Sequence, residues 1–173
     1  MTISKRTAMI WWVGGLIAFA ITIWLSLPLV VDGVPRGIVD HQAAPDAAAV
    51  NAIQNAWQKD GVIDTARTAM IADLIFIGIF GFGCVLAGLH YRNRGTPFLR
   101  FTGWIALVSG VIFLVTDYGE TISQFIQLLR MAGDDRLAGI ASTLQSPKTV
   151  SWITGFLAVV MALVADRFSS TAA

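Results

Sequence analysis

The chain is poor in charge and in cysteine, and each shortage excludes a class of protein. Charged residues make up only 13% of the 173 positions, which is about half of what a soluble domain carries. The net charge of +1 provides no concentrated basic face, so we expect no nucleic-acid partner. Cys84 is the single cysteine, which rules out an intrachain disulfide and a cysteine-based metal site.

The sequence also lacks the motifs that mark common enzymes. It contains no P-loop, no dinucleotide-binding glycine fingerprint between a strand and a helix, and no G-x-S-x-G or H-E-x-x-H. Its two histidines, His41 and His90, stand far apart, and we expect both to be solvated loop residues. The sequence therefore predicts neither a metal site nor a cofactor, and it leaves open whether the protein is an enzyme.

Long apolar runs are the main feature of the sequence. Hydrophobic residues account for 55% of the chain, and the mean hydropathy is +0.69. Four runs approach the roughly 20 residues that a helix needs to cross a bilayer, at residues 8–31, 68–89, 101–122 and 149–168. The first run is long and rich in tryptophan, so we interpret it as a retained helix rather than a cleaved signal peptide. We predict one all-α domain, an antiparallel four-helix transmembrane bundle.

Basic residues predict the orientation of these spans. Three arginines crowd the short connection between the second and third runs: Arg92, Arg94 and Arg100. The positive-inside rule assigns this connection to the cytoplasm. Both termini are then cytoplasmic, residues 32–67 form an outer loop, and the expected location is a bacterial inner membrane.

The outer loop has a helical pattern of its own. Pro45 and Asp46 are typical of a helix start, and Gly61 is typical of a stop. Between them, three apolar residues recur at helical spacing: Val50, Ile53 and Trp57. This pattern predicts a short amphipathic helix that caps the outer side of the bundle or lies on the membrane surface. A second short helix is predicted over residues 136–144, ending before Pro147.

Three carboxylates interrupt the apolar runs, and they are the strongest indication of a function. Asp73 lies in the second run, and Asp117 and Glu120 lie in the third. Acids are costly inside a membrane and usually have a role there. Each shares a helix face with small residues, which in membranes mark helix contacts. We expect the three to meet at a similar depth in the outer leaflet, with neutral hydrogen-bonding neighbours at Gln42, Tyr118 and Gln124.

Several roles for this cluster remain open. It could form a pocket for a cation, a lipid or a small amphipathic or cationic ligand, which is our preferred hypothesis. It could instead be a structural clasp in which Arg67 or Arg130 pairs with the acids, or the acid–base centre of an intramembrane isomerase or lyase. The chain could also be an accessory subunit or a homo-oligomer, using a small-residue face on the fourth span: Gly155, Ala158 and Ala162.

Short motifs along two thirds of the chain resemble an uncharacterised family of small bacterial proteins with four transmembrane helices. The motifs are the P-x-G-I of residues 35–38, the helix around Trp57, Asp73 in the second span, and Asp117-x-x-Glu120 in the third. The resemblance implies the same four-span fold. The chain departs from the family pattern at Gln42, where a glutamate is expected, and at Thr121, where asparagine is usual.

Overall fold

The computed structural model of the protein describes residues 3–94 and 96–171, with side chains described as far as Phe168. Its helices are α1 (Lys5–Ser26), α2 (Ile38–Gln42), α3 (Ala47–Lys59), α4 (Ile63–Tyr91), α5 (Pro97–Arg130) and α6 (Asp135–Thr171). The four long ones, α1, α4, α5 and α6, are long and apolar enough to cross a membrane. The prediction of an all-α, multi-pass membrane protein is confirmed, and the fold is consistent with a four-helix bundle.

The last long helix differs from the prediction. Residues 136–144 do not form a separate helix, because α6 begins at Asp135 and continues through Pro147. Proline removes one backbone hydrogen bond and crowds the carbonyl one turn earlier, which often ends a helix. Here the neighbouring hydroxyls bond backward to helix carbonyls, from Thr143 to Gly139 at 2.7 Å and from Ser151 to Lys148 at 2.9 Å. The prediction of a break before Pro147 was wrong.

Contacts between residues group the chain into two compact units, of which the first comprises residues 1–16, 77–115 and 147–173. Small residues allow the helices of this unit to approach closely, as expected for helices that associate in lipid. A Cβ on Gly83 would fall 2.6 Å from the backbone of Trp12, and one on Gly88 would fall 2.5 Å from the backbone of Leu107. Aromatic rings fill the wider gaps, such as Trp12 stacked on Phe156 at 5.5 Å.

The small-residue face of α6 is used within this unit. Gly155, Ala158 and Ala162 are all buried, and a Cβ on Gly155 would lie 3.4 Å from the sulfur of Cys84. These three residues therefore present no free face to another subunit, while the accessory-subunit role itself stays a prediction. The spacing of small residues indicates a helix contact, but it does not say whether the partner helix belongs to the same chain.

The second unit comprises residues 17–76 and 116–146 and contains every predicted site residue. Residues 30–62, which we call the cap segment, pack in this unit against the ends of the long helices. Trp57 of α3 is fully buried in an apolar cluster with Leu29, Met70 and Leu128. Val50 packs in a second cluster with Ala138 of α6.

Local sequence explains where the cap helix α3 begins and ends. The side chain of Asp46 accepts a hydrogen bond from the backbone N–H of Ala49 at 2.8 Å, which caps the first turn. The chain leaves the helix through Gly61, whose φ of 72° is a left-handed conformation that favours glycine. The start and stop predicted from Asp46 and Gly61 agree with these bounds. The amphipathic face is also correct, since Val50 and Trp57 are buried.

Candidate functional site

Two of the three predicted carboxylates meet at one hydroxyl group. The Oγ1 of Thr121 on α5 lies 3.2 Å from Asp73 Oδ2 on α4 and 3.4 Å from Asp117 Oδ1, one turn earlier on α5. Thr121 and Asp117 are buried, whereas Asp73 is half-buried. The structure thus brings together acids that are 44 positions apart in the sequence, because α4 and α5 lie side by side at this level. We refer to Asp73, Asp117 and Thr121 as the acid pair and its bridge.

The third acid continues the same face of α5. Glu120 lies three residues beyond Asp117, a spacing that places two side chains on one helix face, and it is fully buried. Gln124 and Gln127 extend the row by one and two further turns, and both are also buried. The prediction that polar and small residues share one side of this helix agrees with the structure.

Tyr118 lies beside the acids, as expected of a neighbour, and Gln42 lies on the short helix α2. The hydroxyl of Tyr118 donates to the backbone carbonyl of Leu74 at 3.1 Å, so it joins α5 to α4 next to Asp73. Gln42 is half-buried at the end of α2, while its neighbour His41 is the residue of α2 that is fully buried. Tyr118 therefore sets the alignment of the two helices that carry the acid pair.

The two cations proposed for a structural clasp have other environments. The guanidinium of Arg67 donates from Nη1 to Asp64 Oδ1 at 2.8 Å, one turn away on the same helix. Arg130 is the exposed last residue of α5. Asp64 is itself 87% exposed, so the Arg67–Asp64 pair is a surface pair, which contributes little to stability.

A second polar group is formed by three side chains from three helices. His41 of α2, Gln54 of α3 and Gln124 of α5 are each only 1% exposed. Gln54 Nε2 lies 3.2 Å from His41 Nε2, and the ring of His41 stacks on that of Trp57 at 5.2 Å. The indole N–H of Trp57 donates to the carbonyl of Leu29 at 2.9 Å and fixes the ring in place. We call His41, Gln54 and Gln124 the polar trio.

The trio contains buried polar atoms that are left unsatisfied by the described part of the chain. They are His41 Nδ1, Gln54 Oε1 and both amide atoms of Gln124. Gln127, one turn further along α5, has both of its amide atoms occupied: Nε2 donates to the Ser123 carbonyl at 3.2 Å, and Oε1 accepts from the N–H of Asp134 at 2.9 Å. Buried polar atoms in proteins are almost always hydrogen-bonded, and an exception indicates a water, an ion or a functional role.

His41 is electrically neutral at physiological pH. Burial lowers the pKa of its imidazole to about 4, although the nearby amide of Gln124 favours the charged form and opposes part of this change. Removal of a charged imidazolium from water is costly, which explains the direction. The polar trio is therefore an uncharged site, in contrast to the acid pair.

The expectation that both histidines are solvated was wrong, since His41 and His90 are both buried. His90 Nδ1 lies 2.7 Å from the backbone carbonyl of Ile3. Spacing could have revealed Gln54 as a buried polar residue. Gln54 lies four residues after Val50 and three before Trp57, on the apolar face of α3. A polar residue in register with an apolar face is the relevant signal.

Comparison of the chain with protein-family models, with curated proteins and with solved structures gave no match. The candidate site is therefore defined by its own geometry.

Proposed function

We propose that the protein is an integral membrane protein that binds a small organic cation, or the cationic group of an amphipathic molecule, at the acid pair. The observation that carries this proposal is the position of Thr121 Oγ1 within hydrogen-bonding distance of a carboxylate from α4 and another from α5. A hydroxyl group has one proton and donates it to one oxygen at a time, so the bridge alone does not neutralise the pair.

Electrostatics explains why a cation is the preferred ligand. Two carboxylates on either side of one hydroxyl repel each other when both are ionised, and the repulsion grows as the surroundings become less polar. A bound cation removes that repulsion and gains attraction to both groups. Glu120, fully buried on the same helix face, would increase the negative potential when it is ionised. An apolar tail on the ligand would remain in contact with lipid, which favours an amphipathic molecule.

The proposal includes the orientation inferred from the arginines between α4 and α5. The cap segment would face the outside of a bacterial inner membrane, and both termini would face the cytoplasm. The ligand would then reach the acid pair from the outer leaflet. The cap segment packs in the same compact unit as the acid pair, which supports placing both toward the same side of the membrane.

Calorimetric titration of the full-length protein in detergent micelles tests the proposal. The probes are butylammonium and 1-chlorobutane, which share a four-carbon chain and differ in charge. We expect saturable binding of butylammonium with a stoichiometry of one per chain, and no saturable binding of 1-chlorobutane. Asp73→Asn and Asp117→Asn should each weaken butylammonium binding by about tenfold or more, because removal of one charge–charge contact of 1.4 kcal/mol has that effect.

Asp64→Asn is the matched control, since Asp64 is an acid of the same helix as Asp73 but is exposed and paired with Arg67. Its affinity for butylammonium should equal that of the wild type. Equal loss in all three variants would indicate a general surface-charge effect and would contradict a site at the acid pair. Sodium chloride at matched ionic strength separates specific binding from screening.

A further inference from the structure

The geometry points to a second binding site, at the polar trio, for the hydroxyl group of an uncharged molecule. This site differs from the acid pair in position, in charge and in the chemistry that it selects. It is formed by His41, Gln54 and Gln124, which come from α2, α3 and α5 and are each 1% exposed.

The hydrogen-bonding pattern of the trio defines what it can accept. The Nε2 of Gln54 is an amide nitrogen and donates, so the His41 Nε2 that lies 3.2 Å away is the acceptor. The ring proton of the neutral imidazole is then on Nδ1, which is buried, lies near the amide of Gln124 and makes no close hydrogen bond with the described residues. His41 therefore offers one N–H to a ligand.

The two glutamines complement this donor. Gln54 Oε1 is an unsatisfied acceptor, and Gln124 has an unsatisfied acceptor in Oε1 and an unsatisfied donor group in Nε2. A group that satisfies these atoms must both donate and accept hydrogen bonds. A hydroxyl group does both, whereas an ammonium group only donates and a carboxylate only accepts.

The remaining surroundings favour an uncharged molecule with an apolar portion. His41 is neutral, because burial lowers its pKa to about 4. The flat ring of Trp57, stacked on His41 and anchored to the carbonyl of Leu29, covers one face of the imidazole with an apolar surface. Water and an organic alcohol both carry the required hydroxyl chemistry. We assign the organic alcohol to this site, and ordered water is the competing occupant.

Nuclear magnetic resonance of the full-length protein in detergent micelles, with ¹⁵N-labelled histidine, tests the assignment. The probes are 1-butanol, 1-chlorobutane and butylammonium, which differ only in the group at the end of one four-carbon chain. We expect 1-butanol alone to produce a saturable shift of the His41 Nδ1–H signal. Cross-relaxation from water to this proton, if present without a probe, should disappear as 1-butanol saturates the site.

Two glutamine variants provide the matched comparison. Gln124→Leu should weaken the 1-butanol effect by about tenfold, the factor for one lost hydrogen bond of ordinary strength. Gln58→Leu, at an exposed position of α3, should leave the effect unchanged. The comparison of the three probes needs no variant, so it still tests the site if Gln124→Leu does not fold.

Two results would overturn the assignment. Persistent water cross-relaxation with no saturable response to 1-butanol would mean that the trio holds ordered water only. An equal response to 1-chlorobutane would mean that the shift reports apolar contact with micelles rather than hydroxyl recognition. Neither result bears on the acid pair, for which butylammonium is the probe.

Discussion

Replacement of Trp57 by phenylalanine should loosen the cap segment while the four long helices stay folded. Trp57 is fully buried against Leu29, Met70 and Leu128, and its indole N–H is the donor to the Leu29 carbonyl at 2.9 Å. Phenylalanine keeps much of the apolar contact but cannot donate. The Leu29 carbonyl would then be buried without this donor, which costs about 1–3 kcal/mol.

This cost should appear as faster opening of α3. A loss of about 1–3 kcal/mol raises an opening constant by roughly 5- to 150-fold, and the backbone amides of residues 50–59 should exchange with deuterium faster by that factor. Trp57→Ala should have a larger effect, because truncation of a buried tryptophan costs about 3–5 kcal/mol. Hydrogen–deuterium exchange with mass spectrometry in micelles measures both.

Trp24→Phe is the control, since Trp24 is 69% exposed on α1. It should leave exchange in α3 unchanged. If Trp57→Phe also leaves hydrogen exchange in α3 unchanged, the hydrogen bond from the indole to the Leu29 carbonyl does not stabilise the cap segment. The argument that a buried, unpaired carbonyl is costly would then be contradicted here.

Three further predictions concern pH, packing and orientation. Because His41 has a pKa of about 4 instead of the ordinary 6.5, the unfolded state takes up a proton that the folded state excludes. The unfolding free energy of the wild type should therefore fall by about 3 kcal/mol as the pH drops from 6.5 to 4, relative to His41→Gln measured in parallel. Gly103→Ala should destabilise the protein by about 1–3 kcal/mol, since its Cβ would overlap the backbone of Tyr91 and Arg92 at the end of α4. Gly139→Ala, where the Cβ meets nothing within 4 Å, should be neutral or stabilising by up to about 1 kcal/mol, as thermal unfolding in micelles will show. Single cysteines at the exposed positions Ala48 and Asn93 should react with a membrane-impermeant reagent from opposite sides of intact cells, with Ala48 reached from outside; outside labelling of Asn93 would reverse the orientation.

The fold class could be predicted because membrane solubility imposes a strong pattern on the sequence. A helix long enough to cross a bilayer needs a long apolar run, and each of the four predicted runs overlaps one of α1, α4, α5 and α6, although the helices have different bounds. The cap helix was also predictable, since Asp46 caps its start and Gly61 ends it. The continuation of α6 through Pro147 was not, because the local hydroxyl–carbonyl bonds that accompany it depend on the helix already being present.

The part of the candidate site that lies on the long helices was predictable from the sequence, whereas the part in the cap segment was not. Asp117, Glu120 and Gln124 share one helix face by spacing alone, and all are buried. Which acid of α5 meets Asp73 depends on the alignment of α4 with α5, and that alignment is a tertiary property. The burial of His41 follows from the packing of α2 over Trp57, and no periodicity in a helix of five residues is long enough to reveal such packing.

The most direct test of the central claim is the thermal unfolding of Asp117→Asn in micelles, with and without butylammonium. A binding site holds its charges at a cost in stability, so we expect the variant without the probe to be as stable as the wild type or more stable. With butylammonium at about a hundred times its dissociation constant, the wild type should gain about 2.7 kcal/mol and the variant should gain almost nothing. The account would be contradicted if the variant lost about 3–5 kcal/mol without the probe and still gained stability from butylammonium. A loss of that size is expected when one partner of a buried ion pair is removed.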